Sequence, residues 1–156
     1  MEFQFLNNGL KAAVPDGFHV MDAAELAKFN IYKEFPDWSI SDPERHIIIS
    51  VSWRKSGLGA LMLNSKDVAK KMETALQKPM AAFGYKLQGF ESKNVGGTAA
   101  EGFRYTYTAQ NINMIGESYS VKKGKTFYYI HCYYRAELET ESIRVLQVMA
   151  ESCEWV

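Results

Sequence analysis

The sequence predicts an α+β fold, one antiparallel β-sheet packed between helices as an α/β/α sandwich, and three features carry that prediction. Residues 99–134 form a ladder of aromatic and β-branched residues cut by short turns. Two other segments, about 65–83 and 143–153, repeat apolar residues every three or four positions, the period of a helix with one buried face. Within the ladder, residues 125–134 carry apolar or aromatic side chains on both alternating faces. Phe127, Tyr129, His131 and Tyr133 point one way, and Tyr128, Ile130, Cys132 and Tyr134 the other. Such a strand belongs in the middle of a sheet covered on both sides.

Each element follows from local chemistry. Residues 3–6 and 10–14 read as two short strands joined at Asn7-Asn8-Gly9, because Asn-Gly supplies the positive φ angles of a tight hairpin. Pro15-Asp16-Gly17 ends the second strand. Asp22 and Glu25 are spaced as a capping box, which starts a short helix over 23–29. Residues 31–42 read as a turn and an irregular strand around Trp38. Residues 46–53 form the clearest strand of the first half, with Ile47, Ile49, Val51 and Trp53 on one face. Gly57 and Gly59 mark the next loop.

Asn64 or Ser65 caps the longest helix, 65–83, whose stripe is Val68, Met72, Ala75, Leu76, Met80 and Phe83. Pro79 lacks the N–H that continues a helix, so a kink or early stop is expected near Lys78. Four strands follow at about 85–92, 99–109, 114–122 and 125–134. Gly96-Gly97, Asn111-Ile112-Asn113 and Lys123-Gly124 are the turns of an antiparallel meander. Ile143, Leu146, Met149 and Cys153 stripe a closing helix. No linker or internal repeat interrupts the pattern, and the whole of 1–156 reads as a single domain.

Composition bounds the function classes. The chain has 156 residues, 47% hydrophobic and 13% aromatic, which is enough apolar surface for a folded core. Eighteen basic residues balance eighteen acidic ones, and this neutrality argues against nucleic acid as a partner. Cys132 and Cys153 make neither a disulfide framework nor a thiolate zinc site. The N-terminus has no basic segment followed by an apolar one, and no run reaches the roughly 20 apolar residues of a membrane span. A cytoplasmic location is expected, with no membrane span and no cofactor.

No motif names a reaction. Gly124-Lys125-Thr126 imitates the end of a phosphate loop, but Tyr119 stands where the first glycine belongs and a strand follows. Gly57-Leu58-Gly59 has no third glycine at the right spacing. His19, His46 and His131 show no metal-binding spacing. The serines lack a Gly-x-Ser-x-Gly elbow. Glu137, Glu139 and Glu141 suit the acidic first turn of the last helix. Phe103, Tyr105 and Tyr107 share a face, with Tyr119, Tyr129 and Tyr133 as possible neighbours, and the economical reading is core beneath the long helix.

Across nearly its whole length the chain resembles the PsbP-like fold, shared by the photosystem II extrinsic protein P, the Ran-binding Mog-type factor and many small bacterial proteins. The similarity rests on the opening hairpin with Pro15-Asp16-Gly17-Phe18, the long helix, and the Gly96-Gly97-Thr98-Ala99-Ala100 turn entering Phe103-Arg104-Tyr105-Thr106-Tyr107. The run 120–130 and the terminal Glu154-Trp155 complete it. Phe18 stands where tryptophan is usual in that family. The resemblance implies an assembly, docking or ligand-binding module, and a fold alone fixes no function. The leading expectation is therefore a non-enzymatic binding module for a protein or peptide partner, monomeric or weakly homodimeric. Trp38, Trp53 and Arg54, near a strand end, form its candidate recognition rim. The alternative is a small-molecule-binding protein or hydrolase with a pocket between sheet and helix, which requires Arg104 and His131 to converge on one cavity.

Overall fold

Strand β1 (Glu2–Leu6) pairs antiparallel with β2 (Leu10–Val14) because the turn between them is built to close. Asn7 and Asn8 both take left-handed backbone, φ 52° and 53°, and Gly9 N–H bonds Leu6 C=O at 3.1 Å. The computed structural model describes residues 1–29, 35–57 and 62–156, with only the backbone at Phe29. Gly59, assigned above to a loop, and residues 31–34 of the irregular segment lie outside the described residues.

The remaining elements are β3 (His19–Val20), α1 (Ala23–Phe29), β4 (Trp38–Asp42), β5 (Ile47–Lys55), α2 (Ser65–Met80), β6 (Lys86–Val95), β7 (Thr98–Ala109), β8 (Ile112–Lys123), β9 (Thr126–Arg135), α3 (Glu139–Ser152) and β10 (Glu154–Trp155). The fold is α+β, as the patterning predicts. One sheet, however, becomes two. Strands β1, β2 and β10 make a small sheet of their own, while a seven-stranded sheet runs β3-β4-β5-β9-β8-β7-β6. The hairpin closes on β10 because Glu154 and Trp155 pair with Lys11 and Leu10, a long-range contact that no local periodicity encodes.

Strand β9 lies fourth of seven, where its two apolar faces require it. On one face Ile49, Val51, Cys132, Tyr134 and Val121 pack against Leu10 and Ala12 of the small sheet and Leu146 and Met149 of α3. On the other, Phe103 and Tyr105 lie fully buried against Leu76 and Met80 of α2. Tyr129 and Tyr133 share that α2 face by register, whereas Tyr119 faces α3. Tyr119 therefore does not join the Phe103 row.

Several local expectations shift. Asp22 and Glu25 do cap α1, each backbone N–H reaching the other's carboxylate. Asn64 and Asp67 form the same reciprocal box on α2. Pro79 neither stops nor precedes the stop of α2 at Lys78; the helix continues to Met80 and tightens into a 3-10 turn, Ala81–Phe83. Met80 is 1% exposed, so its burial holds the last turn in place. In α3 the buried face is Ser142, Leu146, Met149 and Ala150, and Ile143 points largely outward. The β7–β8 turn falls on Gln110 and Asn111, at φ 51° and 66°, one residue earlier than the composition suggests.

Two glycines inside strands have a packing cause. Gly102 pairs with Tyr119 and Gly116 with Tyr105, on opposite faces of the sheet. A Cβ at Gly116 would lie 2.1 Å from Tyr105 Cζ, and one at Gly102 would lie 2.0 Å from the Ser118 backbone oxygen and 2.5 Å from Tyr119 Cδ1. Each ring lies across a glycine and fills the space that a side chain would take.

Candidate functional site

α2 covers only the β7–β8 part of its face of the large sheet. Beside it the sheet is left with a cleft of about 720 Å³, floored by β4, β5, β9 and the end of β8, and flanked by α1 and the 3-10 turn after α2. Strand alternation decides which side chains form the floor: Ile48, Ser50, Ser52 and Arg54 from β5, and His131, Tyr133 and Arg135 from β9. Ser39 and Ser41 extend it onto β4, and Met114 onto β8. Apolar walls come from Leu26, Phe35, Pro36, Pro43, Phe83 and Tyr107. Phe35 and Phe83 are 47% and 39% exposed, so the mouth presents aromatic surface to solvent.

The charged groups around the cleft are largely paired. His19 Nε2 meets Glu25 at 2.5 Å, Arg54 bonds Asp37 at 2.7 Å, and Arg135 lies 3.5 Å from Glu137. Asp42, itself buried, is bound by the Arg45 guanidinium. Burial alone would raise the Asp42 carboxyl, but the Arg45 side chain and two backbone N–H groups outweigh it and hold the pKa below the ordinary value. Among the described residues the charges around the cleft thus come close to balance.

One row of the floor is polar across four strands. Register aligns Ser39, Ser50, His131 and Ser118, from β4 to β8. Ser39 Oγ lies 2.9 Å from Ser50 Oγ and donates to Ile49 C=O at 3.0 Å or to Met21 Sδ at 3.2 Å. Ser118 Oγ sits 2.8 Å from His131 Nδ1. Desolvation of the imidazole among the floor side chains pushes the His131 pKa down to about 4, so the ring is neutral at pH 7.

The five residues singled out from sequence do not form one site. His131 and Arg54 line the cleft. Trp38 is 8% exposed on the opposite face, its indole N–H donating to Gln4 Oε1 at 2.9 Å, so it is core between the sheets and not rim. Trp53 also points to that face and packs 6.4 Å from the Tyr128 ring. Arg104 and His131 do not converge: Arg104 pairs in register with Glu117 and lies on the α3 face. There Arg104 bonds Tyr134 and Glu139, while Glu117, 4% exposed, accepts from both Tyr119 and Tyr134. Burial would lower the Arg104 pKa, but the surrounding oxygens of Tyr134, Glu117 and Glu139 raise it. This second cluster ties β7, β8, β9 and α3 together. The pocket that needed both residues is therefore replaced by a cleft that holds His131 alone of the two.

Sequence reading missed Ser39, Ser50 and Ser52 as floor residues. Their signal was present as alternation, since each sits out of phase with the Ile-Ile-Val stripe, but nothing local said that this polar face is concave. All three histidines of the chain line the cleft, though separated along it. Among the described residues no three His, Cys, Asp or Glu side chains group to hold a metal ion, and no helix is long and apolar enough to cross a membrane.

No family model matches the chain, and no curated protein matches it by sequence. Solved structures do. The chain is similar to cyanobacterial PsbP (CyanoP) from Synechocystis sp. PCC 6803, with TM-score 0.67 and 13% identity over 99% of this chain and 92% of that one. It is also similar to LpqN, involved in cell envelope biogenesis of Mycobacterium tuberculosis, with TM-score 0.60 and 12% identity over 94% and 83% of the two chains. At such identities the likeness carries the architecture and nothing of the chemistry. With its seven-stranded antiparallel sheet, flanking helices and opening hairpin, the chain has the PsbP-like fold.

Proposed function

We propose that the protein is a non-enzymatic binding module that holds an extended, mainly apolar segment of a protein partner in the cleft over β4, β5 and β9. The length of the floor carries this reading. It runs from the level of Arg54, opposite Phe127, to Arg135, eight residues further along β9, which is about 27 Å at the rise of a strand. A compact molecule would occupy part of such a floor, whereas an extended peptide spans it. Apolar walls, compensated charges and exposed aromatics at the mouth favour an uncharged, apolar segment over an acidic or basic one. The likeness to PsbP and LpqN is compatible with an accessory role.

Hydrolysis finds little support in the same geometry. The hydroxyl bonded to His131 belongs to Ser118, 1% exposed and beyond the reach of a substrate. A library of random twelve-residue peptides selected on the wild-type protein and on Ser52→Trp, which fills the floor, tests the proposal. Wild-type protein should enrich apolar sequences that bind Ser52→Trp at least tenfold more weakly. Selected peptides that bind both proteins equally would place recognition elsewhere.

A further inference from the structure

A formal charge of zero hides an uneven layout, because one end of the large sheet gathers lysines from three separate segments. The β8–β9 turn supplies Lys122, Lys123 and Lys125 around Gly124. Lys55, the last residue of β5, stands opposite Thr126 in register, and Ser56 N–H donates to Lys125 C=O at 2.7 Å. Lys122 Nζ donates to Leu63 C=O at 3.1 Å, which ties the turn to the approach of α2 and brings Lys66, in its first turn, to the same end. Lys55, Lys66, Lys123 and Lys125 are exposed, and among the described residues none of these four is in an ion pair. Of the acids nearby in the chain, Asp67 closes the box of α2 and Glu154 pairs with Lys11. Glu137, Glu139 and Glu141 stand beyond the far end of β9, about 30 Å away at the rise of a strand. The same lysine-rich end holds an apolar side chain out to water. Met62, next to the Leu63 that Lys122 holds, is 87% exposed, more than any other large apolar residue described.

We infer that this end of the molecule docks on an anionic lipid bilayer, with Met62 entering the headgroup boundary and the lysines resting on acidic headgroups. Three observations choose a bilayer. The charges sit on a turn, a strand end and a helix start, and none of them lines the cleft, so a flat surface meets them together. They are lysines, point charges without the planar fork that selects one carboxylate or phosphate geometry, while Arg54 beside them is bound to Asp37. An exposed apolar side chain rimmed by lysines combines the two attractions of an interfacial anchor. Each lysine within reach of such a surface contributes about fivefold in affinity. Arg54 lines the cleft and directly precedes Lys55, so docking sets one end of the cleft at the membrane. The docking stands whether or not that cleft holds a peptide.

Co-sedimentation with vesicles of phosphatidylcholine, alone or with about one-third phosphatidylserine, tests the proposal at about 0.1 M salt. Wild-type protein should bind the phosphatidylserine vesicles about twentyfold tighter or more, and about 0.5 M salt should remove most of that difference. The pair Lys123→Glu and Lys125→Glu should weaken binding about thirtyfold, and Met62→Ser about threefold. The pair Lys78→Glu and Lys86→Glu makes the same change in net charge at exposed positions toward the other end, and should stay within twofold of wild type. All these variants should keep the wild-type thermal midpoint, since each position is exposed. Equal binding of wild type to the two kinds of vesicle overturns the proposal. Equal losses from the two charge-reversed pairs overturn it as well, because net charge and not this end would then govern binding. A single-stranded oligothymidine that binds wild type where the phosphatidylserine vesicles do not would give the lysines to nucleic acid instead.

Discussion

Single residues in this protein are constrained mainly by what lies directly across the ladder from them. Gly116 is glycine because the Tyr105 ring occupies its side-chain space, with Cζ 2.1 Å from a would-be Cβ. Gly116→Ala should therefore cost about 2–3 kcal/mol through overpacking, and Tyr105→Leu in the same chain should recover part of it. Urea unfolding of the two single variants and the double closes that cycle, and strict additivity would show that ring and glycine are independent. His131 makes a second case. Its pKa is about 4 in the fold against 6.5 unfolded, so the unfolded chain binds the proton first as pH falls. Stability is intact above pH 6.5 and erodes between pH 6.5 and 4, by an amount on the order of 2–3 kcal/mol from this one group. Unfolding free energies across that window should fall more steeply for wild type than for His131→Gln; parallel slopes would mean that the ring is solvated.

At the scale of elements, ends and faces were readable to different degrees. The cap of α2 was half visible in the sequence: Asn64 and Ser65 both qualified, and the structure chooses Asn64, whose side chain and that of Asp67 form a reciprocal box. Asn64→Ala should lower stability by about 1 kcal/mol, measurable as a shift in the urea midpoint. The face of α3 was only half visible. Its apolar residues define a stripe that includes Ile143, but the helix docks through Ser142, Leu146, Met149 and Ala150. Ile143 is 36% exposed while Leu146 is 3% exposed, so Leu146→Ala should cost about 2–5 kcal/mol and Ile143→Ala well under half of that. Comparable losses would return Ile143 to the buried face. Small residues such as Ser142 and Ala150 are buried by the closeness of the sheet, a fact of docking distance that hydropathy does not carry.

For the whole molecule the decisive contact is the return of the chain end to its beginning. Trp155 pairs with Leu10 in β2, stacks edge-on to Tyr128 at 5.1 Å and donates its indole N–H to Val95 C=O at 2.9 Å. One side chain thereby joins both sheets. Trp155→Ala should cost about 3–5 kcal/mol, and hydrogen exchange should quicken in β1 and β2 before β8 and β9. Uniform quickening would mean that the small sheet has no separate stability.

The sequence by itself determined the α+β class, the hairpin, the capping box of α1, the long helix, the meander and the central place of β9. Each of these depends on the period of side chains or on turn chemistry within a few residues, which the chain states directly. Tertiary structure alone decided three things: that the hairpin leaves the main sheet for β10, that Arg104 and His131 stand on opposite faces, and that Ser39, Ser50 and His131 align beneath a cleft. Strand alternation assigns side chains to faces only after register is known, and register comes from pairings as distant as Ser50 with His131 and Leu10 with Trp155. Concavity, likewise, belongs to how far α2 reaches across the sheet, a property of packing between elements that no single segment contains.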